Sequence, residues 1–327
     1  MIAGARWGIV SMGLCVLACG GAASESARPT AAGVATDTPP AGLGRVDDAA
    51  ELGPFAVGTL QVLGHRSSEA HGTVNSWLLL GERDAALIDA QLVLSEAREV
   101  VEMIRRSGRT LRWVWITHGH PDHATGLGPI VEAFPEARIL AHPRVVETAA
   151  ALFERYRPTL NRFFPGEIPE SGVVPEALTG DSLELEGVAL RVLTFEEGEA
   201  EITTALHVPS AQVLFCADLV YNRVFPWLNE LHVAGIRAHL DALEARGDIT
   251  TIFPGHGEPS NLDAIAAYRA YLDVYENEAA LATNQADLIA RVWRQYREWR
   301  SLAGLRFSAT ASIDARTGSG STTAATQ

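Results

Sequence analysis

The chain has 327 residues, 47% of them hydrophobic and 7% aromatic, with a formal net charge of −14. This composition fits a soluble α/β protein, and the charge excludes nucleic acid as a partner, because no basic stripe exists to displace counterions from a phosphate backbone. Of three cysteines, Cys15 and Cys19 fall in the leader and only Cys216 in the body, which excludes an internal disulfide there.

Arg6, an apolar run over 9–18 and small residues after Cys19 predict an export signal over residues 1–19, too short for a spanning helix. Val16-Leu17-Ala18-Cys19 is similar to a bacterial lipobox with an imperfect Leu17. A lipid anchor on Cys19 is therefore the expected membrane contact, with cleavage near Ala22 and Ala23 as the alternative. Residues 20–50, rich in Ala, Gly, Pro, Thr and Ser, cannot bury enough surface to offset their ordering entropy and predict a flexible linker. Residues 305–327 predict a disordered tail on the same grounds. Between them, strands are expected over 55–63, 73–80, 85–89 and 111–116. A helix over 94–107 places Ala97, Val100, Val101 and Ile104 on one face. A helix from Thr125, a strand over 137–141 and a helix over 143–156 follow. Residues 157–179, punctuated by Pro and Gly, read as a long loop, either a substrate lid or a plain connection. The second half adds strands over 182–186, 188–194, 203–208, 213–216 and 250–253, and helices over 235–246, 262–276 and 284–302. Strands and helices mixed in two similar halves predict two sheets face to face with helices outside.

The chemistry concentrates in His118-Gly119-His120-Pro121-Asp122-His123, at the mouth of the strand over 111–116. Three imidazoles and a carboxylate within six residues form a dense set of metal ligands. The spacing suits His118 and His120 to one ion, while Asp122 and His123, turned away by Pro121, face a second. With Thr117 in front, this stretch resembles the signature of the metallo-β-lactamase superfamily of metal-dependent hydrolases. The resemblance covers roughly residues 55–278 and implies a four-layer αβ/βα sandwich, a domain expected over 51–304. Two further pieces match it. Val213-Leu214-Phe215-Cys216-Ala217-Asp218 places Asp218 where the family has a carboxylate bridging two metals, with Ala217 in place of the usual glycine. Ile252-Phe253-Pro254-Gly255-His256-Gly257 places His256 where the family has its last ligand.

One piece departs. The family's third first-site histidine is missing from the turn Glu196-Glu197-Gly198-Glu199-Ala200-Glu201, where Gly198 aligns and Glu199 takes the histidine's place. Three readings stand open there. Glu199, or Glu201, ligates an oxygen-richer first site that accepts zinc but shifts preference toward iron or manganese. Alternatively the centre is mononuclear on Asp122, His123, His256 and Asp218, or catalysis is lost and the turn is a solvated acidic loop.

The resemblance implies two divalent ions, zinc being expected, sharing Asp218 and holding hydroxide as nucleophile. Asp122 would also relay a proton, and Tyr221 stands where lactonase-like members carry a tyrosine that hydrogen-bonds the substrate, unless it simply packs on the sheet. His65, His71, His142, His207, His232 and His239 have no partner at ligand spacing and default to surface or core roles, with His71 and His232 nearest the pocket rim. Asp218 argues against a β-lactamase, and the apolar segment Asn222-Arg223-Val224-Phe225-Pro226-Trp227 favours a small carbonyl substrate with an apolar body. The expectation is an exported hydrolase of a carboxylic ester or lactone. The alternative is a cell-surface binding module of the same fold without turnover. Nothing in the sequence assigns an oligomeric state.

Overall fold

The computed structural model describes residues 48–318. The expected export signal, with Cys15 and Cys19, and nearly all of the expected linker lie outside the described residues. Strands β1 (Ala50–Val57), β2 (Leu60–Arg66), β3 (Asn75–Leu80) and β4 (Asp84–Ile88) form an antiparallel meander. The strand expected over 55–63 is split by a turn at Gly58, whose φ of +61° suits glycine. Helix α1 (Leu94–Ser107) crosses to β5 (Thr110–Ile116). Helices α2 (Pro121–Ala124) and α3 (Leu127–Ala133) lead to β6 (Arg138–Ala141), and α4 (Pro143–Phe163) to β7 (Glu176–Ala177). β4 through β7 are parallel, as helical crossovers require. The seven strands lie in sequence order in one sheet.

The second sheet contains β8 (Ser182–Leu185), β9 (Val188–Glu196), β10 (Ile202–Val208) and β11 (Val213–Asn222), all antiparallel neighbours. Helix α5 (Val233–Glu244) then carries the chain to β12 (Thr251–Gly257), parallel to β11 at the sheet edge. Helices α6 (Asp263–Leu281), α7 (Gln285–Gln295) and α8 (Leu302–Thr317) complete the described chain. Among the described residues no helix is long and apolar enough to cross a membrane.

Period-two alternation in β3 shows how the layers form. Trp77 and Leu79 enter the core between the sheets with Trp115, Leu206, Phe215 and Phe253. Leu78 and Leu80 face the other way, packing with Val100, Met103 and Ile104 of α1. Leu240, Ile265 and Tyr268 pack α5 and α6 on the outer face of the second sheet, and Leu288 and Leu305 pack α7 and α8 against α6. The result is the expected four-layer sandwich.

Three further expectations are corrected. The helix expected over 284–302 ends at Gln295, and the next, α8, starts only at Leu302. α4 does not stop at Tyr156 but runs through Pro158 to Phe163. Phe153 and Leu160 pack with Leu92, Val93, Phe164 and Ile168 on both sides of that proline, which offsets its missing hydrogen bond. The expected disordered tail is helical through Thr317: Leu302, Leu305, Ser308, Ala309 and Ile313 of α8 are buried. Residues 319–327 lie outside the described residues.

Candidate metal centre

The ligand loop starts where β5 meets the second sheet. The N–H and hydroxyl of Thr117 donate to the carboxylate of Asp89, just past β4, at 2.9 to 3.1 Å. From β10, the N–H and hydroxyl of Thr204 donate to the Thr117 carbonyl at 2.9 and 2.7 Å. Gly119 is the residue this path needs, since a Cβ would lie 2.8 Å from Thr148 Oγ1 and 2.9 Å from the Ala149 nitrogen of α4. Pro121 opens α2, so Asp122 and His123 leave from its first turn.

Glu199 arrives from the turn between β9 and β10. Arg144 of α4 pairs with Glu196 and Glu201 on the outside of that turn, at 2.5 and 2.9 Å, which removes Glu201 as a ligand. Glu199 turns inward and is only 3% exposed. Its Oε1 lies 2.7 Å from His120 Nδ1 and its Oε2 lies 3.5 Å from His118 Nε2. The reading of a solvated acidic loop is therefore corrected for Glu199 and holds for its neighbours.

Asp218 and His256 come from the parallel strands β11 and β12. Asp218 Oδ1 is 3.4 Å from His123 Nε2, and its Oδ2 is 3.3 Å from His256 Nε2. Asp122 Oδ2 lies 3.4 Å from His256 Nε2 and 3.7 Å from His123 Nε2. Gly255 leaves room for this: a Cβ there would fall 2.0 Å from Asp218 Oδ1 and 3.1 Å from His123 Cε1. Three ligand groups result: His118 with His120 and Glu199, His118 with His123 and Asp218, and Asp122 with His123 and His256. All seven sequence-predicted ligands meet here.

The tautomers of three of the four imidazoles follow from their outer partners, because carboxylates and carbonyls only accept. His123 Nδ1–H donates to Asp89 at 2.8 Å, and His256 Nδ1–H donates to the Gly72 carbonyl at 3.0 Å. His118 Nδ1 is 3.0 Å from the Thr117 hydroxyl, whose own proton goes to Asp89. The Nε2 atoms of His118 and His123, both oxygens of Glu199 and Asp218 Oδ1 are buried without a hydrogen-bond partner. Buried polar atoms are costly when unpaired, and this nitrogen–oxygen donor set is the one that holds zinc and related divalent ions. The residues fit such ions.

Charge balance agrees. Burial works against an ionised His120, yet Glu199 beside it raises the imidazole to about 9. Asp218 and Asp122 likewise lift His256 to about 10 against burial, and His123 rises in the same way. Burial and the neighbouring His123 and His120 push His118 down. Burial pushes Glu199 up to about 7, opposed by His120. His123 and His256 hold Asp122 and Asp218 low although burial opposes it. The carboxylates thus demand positive charge at this point.

The Tyr221 hydroxyl donates to Asp218 Oδ2 at 2.6 Å, and its ring stacks on His256 at 5.2 Å. Buried in this way, it positions the Asp218 carboxylate. Sequence reasoning missed Asp89 altogether, whose only signal was an acid ending an apolar strand. It also left His65 and His71 without partners; both donate to buried Glu96 of α1, at 2.8 and 2.7 Å. His207 and His239 are structural as expected, donating to the carbonyls of Asp248 and Glu196. Trp227 borders the first ligand set, 6.3 Å from the His120 ring, and Phe307 of α8 packs 5.0 Å from Trp227.

Comparison with known proteins places this geometry. Residues 71–256 match the sequence model of the family described as the metallo-beta-lactamase superfamily. A hydroxyacylglutathione hydrolase of Ruegeria pomeroyi is 30% identical over 216 residues, 64% of this chain and 71% of that protein. Another from a Synechococcus species is 26% identical over 63% of this chain and 77% of its own length. Among solved structures, a beta-lactamase domain protein from Burkholderia ambifaria aligns with a TM-score of 0.58 at 20% identity, covering 86% of this chain and 92% of that one.

Proposed function

We propose that this chain, a hydrolase belonging to the metallo-beta-lactamase superfamily, cleaves a carboxylic ester or lactone at a centre of two divalent ions. The observation that carries the reading is the convergence of buried, unpartnered ligand atoms in two sets around Asp218. His118, His120 and Glu199 would hold one ion and Asp122, His123 and His256 the other, with Asp218 shared. Zinc suits both sets, and the carboxylate of Glu199 opens the first to iron or manganese. Bound there, such ions would activate water and polarise a carbonyl.

The chain's own residues supply the rest. Asp122, with its side chain 27% exposed, is the carboxylate of the centre that opens to solvent. It accepts a proton from the attacking water and returns it to the leaving oxygen. Tyr221 keeps Asp218 in place. Trp227 and the 45%-exposed Phe307 offer an apolar wall beside His120, which favours a substrate with an apolar acyl body. Relatives named as hydrolases of an acylated glutathione support an acyl carbonyl as the point of attack.

The test is metal analysis of the purified chain together with ester, lactone, thioester and phosphodiester assays. Bound divalent metal and acyl hydrolysis, lost by orders of magnitude in His123→Ala, is the expected result. Metal without turnover of any substrate would instead favour a binding module. Full activity in a metal-depleted His120→Ala variant would overturn the hydrolytic centre. Export with a lipid anchor at Cys19 is proposed on the sequence alone. Cys19→Ala should release the chain from membranes, and a soluble wild type beginning downstream of Cys19 would refute the anchor.

A further inference from the structure

His256 differs from His123 in what fixes its ring. Asp89 holds His123 from a strand end, whereas the partner of His256 is the carbonyl of Gly72, in the loop between β2 and β3. That carbonyl is aimed by two successive residues in the left-handed region, Gly72 at φ +97° and Thr73 at φ +58°. Such a backbone persists only where its surroundings hold it. Val74 meets His256 in an isolated bridge, so the loop lies directly against the ligand.

A buried carboxylate on α1 binds this loop and the strand before it at three points. Glu96 is 5% exposed and accepts from three donors. Its Oε2 takes His65 Nε2–H at 2.8 Å, and its Oε1 takes His71 Nδ1–H at 2.7 Å and the Ser68 N–H at 3.1 Å. Burial opposes the charge, yet these donors hold the carboxyl well below the usual carboxylate range. His65 lies one residue before the end of β2, Ser68 and His71 span the loop, and Gly72 is the next residue.

We infer that Glu96 is a positioning residue for His256: by tying His65, Ser68 and His71 together it fixes the Gly72 carbonyl, which keeps the proton on Nδ1 and leaves Nε2 as the ligand atom. The inference rests on the metal centre proposed above, and it assigns to a residue outside both ligand sets control over the second set alone. Partners of this kind orient metal-binding imidazoles, and their loss commonly lowers metal affinity about 10- to 100-fold. A carboxylate that served only to stabilise the loop would affect both ligand sets together, through the fold.

Two measurements on the full chain test it. The first is solvent exchange of the His256 Nδ1–H resonance by NMR, which needs no bound metal. The second is zinc titration against a chromophoric chelator, resolving the two sites. Glu96→Ala should speed that exchange by about tenfold or more and weaken the second site about 10- to 100-fold, leaving the first unchanged. Glu96→Gln can still accept from Ser68 and His71 and should retain most of both properties. His71→Ala, at a side chain 26% exposed, should give a smaller shift in the same direction and guards against a misfolded Glu96→Ala. The inference is overturned if Glu96→Ala leaves both readouts unchanged, or weakens both sites equally with a lower melting temperature. It is also overturned if Glu96→Ala does not fold and His71→Ala changes neither readout. A wild type that binds no zinc would refute the metal centre, while the exchange measurement would still decide the role of Glu96.

Discussion

Replacing Asp89 by asparagine should detach the second ligand set without disturbing the sheet. Asp89 has a φ of +61°, a region that asparagine also tolerates, so the backbone offers no reason to move. The side chain is where the change acts. One carboxylate oxygen takes the Thr117 N–H at 2.9 Å, and the other takes His123 Nδ1–H at 2.8 Å. The amide supplies only one oxygen, so its NH2 must face one of these two donors. Facing Thr117, it leaves a buried N–H unpaired at about 1–3 kcal/mol. Facing His123, it forces Nδ1 to accept, which moves the ring proton onto Nε2, the ligand atom. The first outcome appears in urea denaturation as a lower midpoint. The second appears in chelator competition as a loss of about 10- to 100-fold at the second site. A variant matching wild type in both assays would refute the assigned role of Asp89.

Gly255→Ala drives a Cβ to 2.0 Å from Asp218 Oδ1. It should displace the shared carboxylate and cost about 10²-fold in kcat/KM with reduced metal stoichiometry; unchanged stoichiometry counts against a shared Asp218. Ala217 holds a φ of +48°, strained for a residue with a Cβ by about 1–2 kcal/mol. Ala217→Gly relieves this against about 0.5–1 kcal/mol of lost chain stiffness, so thermal denaturation should show an equal or higher melting temperature, and a fall would contradict the strain. Glu96 titrates below its ordinary value of 4.5, so its contribution to stability is full above that pH and is lost as pH falls toward the lower folded value. Stability measured from about pH 5 to about pH 3 should therefore fall more steeply for wild type than for Glu96→Gln, and parallel curves would exclude Glu96 as a source.

The site was legible in sequence where its ligands are local or end apolar strands. The six residues from His118 to His123 announce themselves, and Asp218 and His256 each close a hydrophobic run. Glu199 was found by its offset from Gly198, but the choice against Glu201 depends on Arg144, 57 residues away. Glu96 was hidden for the same reason, being 25 and 31 residues from its imidazole partners. Its signal was an acid one turn before Val100 on the apolar face of α1. α8 was obscured because Leu302, Leu305, Ala309 and Ile313 keep helical spacing among Ser, Thr and Ala residues that by composition resemble a linker. Its burial comes from packing on α6, α7 and the segment after β11, which composition does not encode.

Each ligand set draws on both sheets: the loop after β5 supplies four ligands, and β11, β12 and the turn before β10 supply three. Neither half of the chain therefore owns a complete site, and the ligands come together only after pairings distant in sequence have formed, the slow class of contacts in folding. Ions bound at such a seam would act after the barrier is crossed, slowing unfolding and leaving the rate of folding nearly unchanged. A chain whose second sheet is still unmade would expose Trp77 and Trp115 of the first, apolar surface of the kind that makes partly folded chains prone to aggregate.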